Sequence, residues 1–241
     1  MKLSLSAILF VAVVAGLPIS TFAQSESRDE VWKQIGSKRT ELSALEEKFL
    51  APSAEDRVAF AEFLKQPNTG IIRLLPREVY DNSKSLTVRG GGAYYSFVRL
   101  THEYGYGSDI ELSSGFLSVG FAGADYGMLT KLGEVPLEQI TMEHPGVLFM
   151  AAYEAPREEP RARLEYRRFA TGATIDDGLY QSRVPADVGT TYLLRSIDYG
   201  NSDVLITFRV VKKDSDGSVI IVWKLLKTYP KPELARNRTE Q

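Results

Sequence analysis

Cysteine is absent from this 241-residue chain, and that absence removes a large part of protein chemistry. No disulfide can staple the fold, so burial and strand pairing must hold it together. Cysteine nucleophiles, dithiol redox pairs and thiolate-ligated zinc are excluded with it. Histidine is nearly absent as well, with only His102 and His144 present. A Ser-His-Asp hydrolase would have to use one of them, and a zinc site with two imidazoles would need both. The chain contains no Gly-x-Ser-x-Gly elbow, no His-Glu-x-x-His helix and no P-loop. An excess of one charge is missing too. With 29 basic and 31 acidic residues the formal net charge is −2, so the electrostatic footprint of a nucleic-acid binder is lacking. No cofactor, metal or nucleic-acid partner is expected.

Long hydrophobic runs are also lacking, with one exception at the N-terminus. Lys2 precedes an apolar run from Leu3 to Gly16, Pro18 ends it, and Thr21-Phe22-Ala23 places small residues where a signal peptidase reads. Residues 1–23 are therefore expected to be an export signal cleaved before Gln24. The run falls short of the roughly 20 apolar residues that span a bilayer, although a retained N-terminal anchor is the alternative. Gln24 at the new terminus gives no cysteine for a lipid anchor. The expectation is an exported protein, periplasmic or secreted, with no membrane span after cleavage. An exported chain without cysteine fits a bacterial envelope better than a eukaryotic secretory route. Asn237-Arg238-Thr239 matches a glycosylation sequon, which on a polar tail is read as a chance match.

The remaining sequence divides by its periodicity. Val31, Ile35, Lys38, Leu42, Leu45 and Phe49 recur at spacings of a heptad seam, which predicts a helix from Ser25 to Leu50. After Ala51-Pro52, Ser53 is a candidate N-cap with Glu55 and Asp56 in the first turn of a second helix. That helix is expected to stop at Pro67-Asn68-Thr69-Gly70. Residues 24–68 thus read as a helical hairpin, and its 28–50 helix offers a surface for self-association or a protein partner. The bland alternative is that the seam packs on the rest of the chain.

From Ser85 the period becomes alternating. Asp109 to Ser113 alternates polar and apolar residues, Val147 to Tyr153 is an apolar run of strand length, and Arg163 to Phe169 alternates in charge. Arg157 to Arg161 reads as a charged loop. Tyr192–Ile197, Val204–Val211 and Val219–Leu226 are separated by links rich in Asp, Asn, Ser and Gly, which predicts a three-strand antiparallel meander. Val204, Ile206, Phe208 and Val210 should share a core-facing side with Val219, Ile221, Trp223 and Leu225. The expected fold is mainly β, an antiparallel sandwich or barrel-like domain over 69–230, preceded by the hairpin and followed by a polar tail at 231–241.

One segment concentrates polar and aromatic groups, namely Arg99 to Asp109, downstream of Gly90-Gly91-Gly92. His102, Glu103, Tyr104, Tyr106 and Asp109 are the candidate ligand-binding residues, with His102 and Glu103 a possible acid–base pair beside a tyrosine-lined mouth. If the chain is extended there, 102 and 103 point to opposite faces and cannot share a site. The plainer alternative is a glycine-rich turn with tyrosines leaning on the sheet. Asp109 and Glu111 share a strand face at about 7 Å, within the spacing of inverting glycosidase carboxylates, yet are expected to face solvent. Asp214-Ser215-Asp216-Gly217 fails the EF-hand spacing and reads as a hairpin turn, as does Ile175-Asp176-Asp177-Gly178. The favoured function is a non-enzymatic binding or interaction protein of the bacterial envelope. A hydrolase using His102 and nearby carboxylates is the alternative, and a structural envelope component is a third reading.

Overall fold

The computed structural model describes residues 27–81, 86–105, 107–121 and 123–235. The expected export signal, Tyr106 and the end of the tail with Asn237 lie outside the described residues. The chain divides into two units, 1–41 and 42–241. In the first, the described part is helical from Arg28. Ser27 and Glu30 cap that helix reciprocally, each side chain accepting from the other's backbone N–H.

The helix, α1, runs Arg28–Leu50. Ser53 caps α2 (Ala54–Ala59), and Asp56 at the third helical position returns the bond to the Ser53 backbone. The cap is therefore where the sequence placed it, but the long second arm of a hairpin is not there. α2 is six residues long, and after a turn the chain makes only a 3₁₀ turn at Phe63–Lys65. Phe60, Phe63 and Leu64 instead pack with Ile71, Val211 and Val222. Burial of those rings outweighs local helix preference.

The elements that follow are β1 (Thr69–Leu74), α3 (Arg77–Tyr80), β2 (Tyr94–Tyr95), β3 (Ile110–Ser113), β4 (Phe116–Ser118) and β5 (Tyr126–Gly133). Then come α4 (Leu148–Ala152), α5 (Glu159–Thr171), β6 (Ala173–Ile175), β7 (Gly178–Tyr180) and β8 (Arg183–Pro185). The last three strands are β9 (Thr191–Asp198), β10 (Ser202–Lys213) and β11 (Val219–Thr228). Five strands form one antiparallel sheet in the order β1-β11-β10-β9-β5, and four form a second in the order β2-β3-β4-β8. The expected meander is β9, β10 and β11, paired in sequence with Phe208 opposite both Tyr192 and Trp223.

The five-stranded sheet is buried on both sides. Val204, Ile206, Phe208, Val210, Val219, Ile221 and Trp223 meet Ile110, Leu112, Leu117 and Val184 of the smaller sheet in one cluster. On the opposite face, Leu193, Ile197, Leu205 and Met128 meet Met150 of α4 and Ala162 and Phe169 of α5. Every residue of β9 is buried in consequence, the signature of a strand covered on both faces. Each Leu, Ile, Val or Phe so placed contributes about 1.5–3 kcal/mol.

Two expected strands are helices. Val147–Tyr153 becomes a 3₁₀ turn and α4. His144 holds the extended backbone that Pro145 favours and caps this segment, its Nδ1 accepting from the Gly146 N–H at 3.1 Å. Arg163–Phe169 lies inside α5, and the supposed loop at 157–161 carries its start. Pro160 sits in the first turn, where its missing N–H costs nothing, and Gly172 closes the end at φ +90°. Ala162 and Phe169, seven residues apart on one side of the helix, are buried, while Leu164 and Tyr166 are exposed. The charge alternation there is incidental to a 3.6-residue period. Helix makes up 30% of the described residues against 32% strand, more than the alternating patterns implied.

Candidate functional site

The sequence-predicted residues are distributed over two cavities. His102 and Glu103 line one of about 460 Å³, together with Glu46, Leu50, Arg57 and Tyr95. The His102 Nε2 lies 2.8 Å from the Arg73 carbonyl oxygen. That oxygen can only accept, so Nε2 carries the proton. The imidazole also meets the Tyr95 ring edge-on at 5.0 Å, and burial pulls its pKa below the usual value. Glu103 is exposed.

Tyr104 turns the other way and lines a smaller pocket of about 210 Å³ with Phe121, Tyr126, Asp125 and Asp198. Asp109 lies beside it, fully buried, where its Oδ2 accepts the Phe97 N–H at 2.7 Å and so pins the start of the 97–109 loop. Burial pushes the Asp109 carboxyl up to about 6, with Ser196 and the Phe97 N–H relieving it only in part and the charge of Asp198 adding to it. Tyr106 lies outside the described residues. The structure thus places Tyr104 at the pocket and Asp109 next to it, and keeps His102 and Glu103 apart from both.

The pocket has an aromatic side and an acidic side. On the aromatic side, Tyr94 packs against Tyr104 at a tilt of 44° with centroids 4.5 Å apart and meets Phe121 in a T-shaped contact at 5.3 Å. Tyr94 is fixed in turn by its hydroxyl, which donates to Glu111 Oε1 at 2.8 Å. The Arg77 guanidinium pairs with the same carboxylate oxygen at 3.0 Å. Glu111 is only 7% exposed, so neither it nor Asp109 faces solvent as the alternation implied. The smaller sheet has polar partners behind it that a half-solvated strand would lack. Arg89 sits over the outer face of Tyr104, 5.7 Å from the ring centroid.

On the acidic side, Asp198 ends β9 and Asp125 immediately precedes β5, the strand paired with it. Asp125 Oδ1 accepts the Tyr199 N–H at 2.9 Å. Burial, with the neighbouring Asp198 charge adding to it, pushes the Asp125 carboxyl up to about 6. Asp198 Oδ2 accepts from the Asn201 amide at 2.9 Å. Its Oδ1 is buried with no surface open to the pocket, and a side-chain hydrogen bond between the two carboxyls favours the protonated form of Asp125. Gly120 completes the rim at φ +83°, where a Cβ would come 2.8 Å from the Tyr126 Cα, so only glycine leaves this opening clear.

Sequence reasoning missed Asp125, Tyr126 and Asp198. The Asp198-to-Asp203 link reads as turn chemistry, and Asp198 does serve the turn, since its carbonyl accepts the Asn201 N–H. Its neighbour in the pocket, Asp125, is distant in sequence.

A cavity of about 840 Å³ lies where residues 229–235 meet Arg195 and Asp203. Arg195 and Asp203 in its lining are already paired. Arg195 binds Asp203 with two nitrogens and donates a third bond to the Met150 carbonyl. Among the described residues no group of three or more His, Asp or Glu side chains is arranged to hold a metal ion, and no helix is long and apolar enough to cross a membrane. No protein-family model, curated protein or solved structure matches this chain.

Proposed function

We propose that the chain is an exported, non-enzymatic binding protein of the bacterial envelope whose small ligand occupies the pocket between Tyr104 and Asp198. The observation that carries this reading is the pocket of about 210 Å³ in which Tyr104, Phe121 and Tyr126 share the lining with the carboxylates of Asp125 and Asp198. Convergent polar groups in a mostly apolar, preformed pocket are the usual form of a ligand site. The commitment of the His102 Nε2–H to the Arg73 carbonyl weighs against the hydrolase alternative. Two sheets meeting across one apolar cluster support a sandwich as the supporting fold.

The test is a thermal-shift screen of small polar and aromatic-stacking compounds on the exported protein and on Tyr104→Leu. A compound that raises the melting temperature of the first and not the second supports the reading. If every stabilising compound acts equally on both, this pocket is not the site.

A further inference from the structure

We infer that the groove along the free edge of β1 binds an extended peptide carrying basic side chains, which adds to the larger sheet beside Ile71. β1 ends the strand order of that sheet, with β11 on one side and, among the described residues, no strand on the other. The pairing decides which of its backbone groups face outward. Leu225 donates to the Asn68 carbonyl, so the even-numbered positions bond to β11. The odd-numbered positions therefore face the open edge. There the Arg73 carbonyl accepts from His102, and the Leu75 N–H donates to the Gly92 carbonyl. The Ile71 N–H and C=O point the same way, and among the described residues no hydrogen bond reaches them. An edge of this kind is a template for a further strand.

That edge borders the cavity of about 460 Å³. Ile71 and Ile72 both line it, although Ile71 packs with Phe63 on one face of the sheet and Ile72 belongs to the cluster on the other. The cavity therefore lies on the edge itself. The end of α1 forms one wall, with Glu46, Glu47 and Leu50, and Leu100 to Glu103 form the other. Leu100 holds φ +54°, a left-handed value that leucine rarely takes, and its side chain stays 62% exposed in that wall. A peptide residue opposite Ile71 would exchange both backbone bonds with it, which is the geometry of strand addition.

The charge of the walls selects the occupant. Glu46, Glu47 and Glu103 line the groove, with Arg57 as the only Arg or Lys beside them. Glu46 is engaged by the N–H and hydroxyl of Thr87. Glu47 and Glu103 are exposed, one in each wall. Successive side chains of an extended peptide point to opposite sides, so a basic residue can reach either wall. A second copy of β1 pairing edge to edge is the competing occupant, and it would bring a second set of the same carboxylates towards these.

The experiment is an NMR titration of the isotope-labelled protein with three blocked pentapeptides, in which valine alternates with lysine, with glutamate or with serine. In the free protein the Ile71 amide should exchange with solvent faster than those of Gly70 and Ile72, which bond to β11. The lysine peptide should shift the Ile71 resonance and slow its exchange. It should bind about tenfold more tightly than the glutamate peptide, through ion pairs with Glu47 and Glu103. The double variant Glu47→Lys with Glu103→Lys changes two exposed side chains and should reverse that preference. An Ile71 amide already protected in the free protein, or unmoved by all three peptides at millimolar concentration, overturns the proposal. Equal affinity for the lysine and glutamate peptides overturns it too, as does a preference that the double variant keeps. Protection of Ile71 that rises with protein concentration alone would give the edge to a second copy and remove the peptide.

Discussion

Arg195 on β9 and Asp203 on β10 form a buried two-pronged ion pair, Nε to Oδ1 and a terminal nitrogen to Oδ2, with side chains 1% and 5% exposed. The Tyr229 ring closes over the guanidinium, 3.3 Å from its carbon to the ring centroid. Together with the Met150 carbonyl, this pairing lets a charged side chain sit on the helix-facing side of the sheet next to Leu205 and Leu193. Arg195→Met leaves the Asp203 carboxylate buried without its partner and should cost about 3–5 kcal/mol. The double variant Arg195→Met with Asp203→Leu should recover most of that loss. Urea denaturation of the four proteins in a double-mutant cycle measures the coupling. A single-variant loss below about 1 kcal/mol would mean that water solvates the pair.

Asp109 makes stability depend on pH in an unusual direction. Its folded-state pKa of about 6 lies above the ordinary value of 3.8. Between those values the folded protein holds a proton that the unfolded chain has released, so stability falls as pH rises through that window. The cost of ionising this fully buried group is on the order of 3 kcal/mol, from about two pKa units at 1.36 kcal/mol each. Asp109→Asn should flatten the dependence while Asn retains an oxygen for the Phe97 N–H. Chemical denaturation from about pH 4.5 to about pH 7.5 reads the slope. An unchanged slope in the variant would assign the effect elsewhere.

The triple glycine has a different obstacle at each position. A Cβ at Gly91 would come 2.6 Å from the Asp81 backbone nitrogen, and φ there is +61°. At Gly90 it would collide with the Tyr94 ring, and at Gly92 with Leu50 Cδ2. Side chains can move but the backbone at Asp81 cannot. Gly91→Ala should therefore be the costliest of the three, at about 2–4 kcal/mol. Gly115 is the control, since it has φ +76° but nothing within 4 Å of its Cβ position. Gly115→Ala should cost only about 1 kcal/mol. Thermal melts of both variants decide it, and equal losses would show that left-handed backbone alone matters.

The C-terminal meander was legible because Val, Ile and Phe alternate along β10 and β11 between links of unambiguous turn formers. The Ser53 cap was legible because its signal is local. Val147–Tyr153 was not, since a short apolar run reads alike as buried strand or buried helix. The Arg163–Phe169 alternation misled because Pro160, taken as a loop marker, sits where a helix accepts it. Asp109 and Glu111 were assigned to solvent on a one-sided sheet, but Arg77, Tyr94 and the Phe97 N–H come from segments that no periodicity connects to β3. Tyr104 was visible as part of an aromatic-rich loop. Asp125 and Asp198 were hidden because each reads as a turn residue on its own, and only the β5–β9 pairing brings them together.

The hydrolase alternative rests on His102. Its pKa is lowered by burial, the bond to the Arg73 carbonyl opposing this only in part. The unfolded chain therefore binds a proton near pH 6.5 that the folded imidazole resists. Stability from this group is full above that pH and is lost as pH falls through it, opposite in sign to Asp109. The Nε2–H donates to a backbone oxygen of β1, so the ring ties the 97–109 loop to the larger sheet. His102→Gln keeps a donor of similar reach and should lose only about 1 kcal/mol. His102→Ala loses the Tyr95 contact as well and should cost more. Neither variant, nor Glu103→Ala, should change the affinity of a ligand in the Tyr104 pocket. The imidazole proton shifts followed by NMR from about pH 8 to about pH 5 should show a midpoint below 6.5. A midpoint at or above that value would show the ring solvated or paired with a carboxylate, as acid–base catalysis through Glu103 would require.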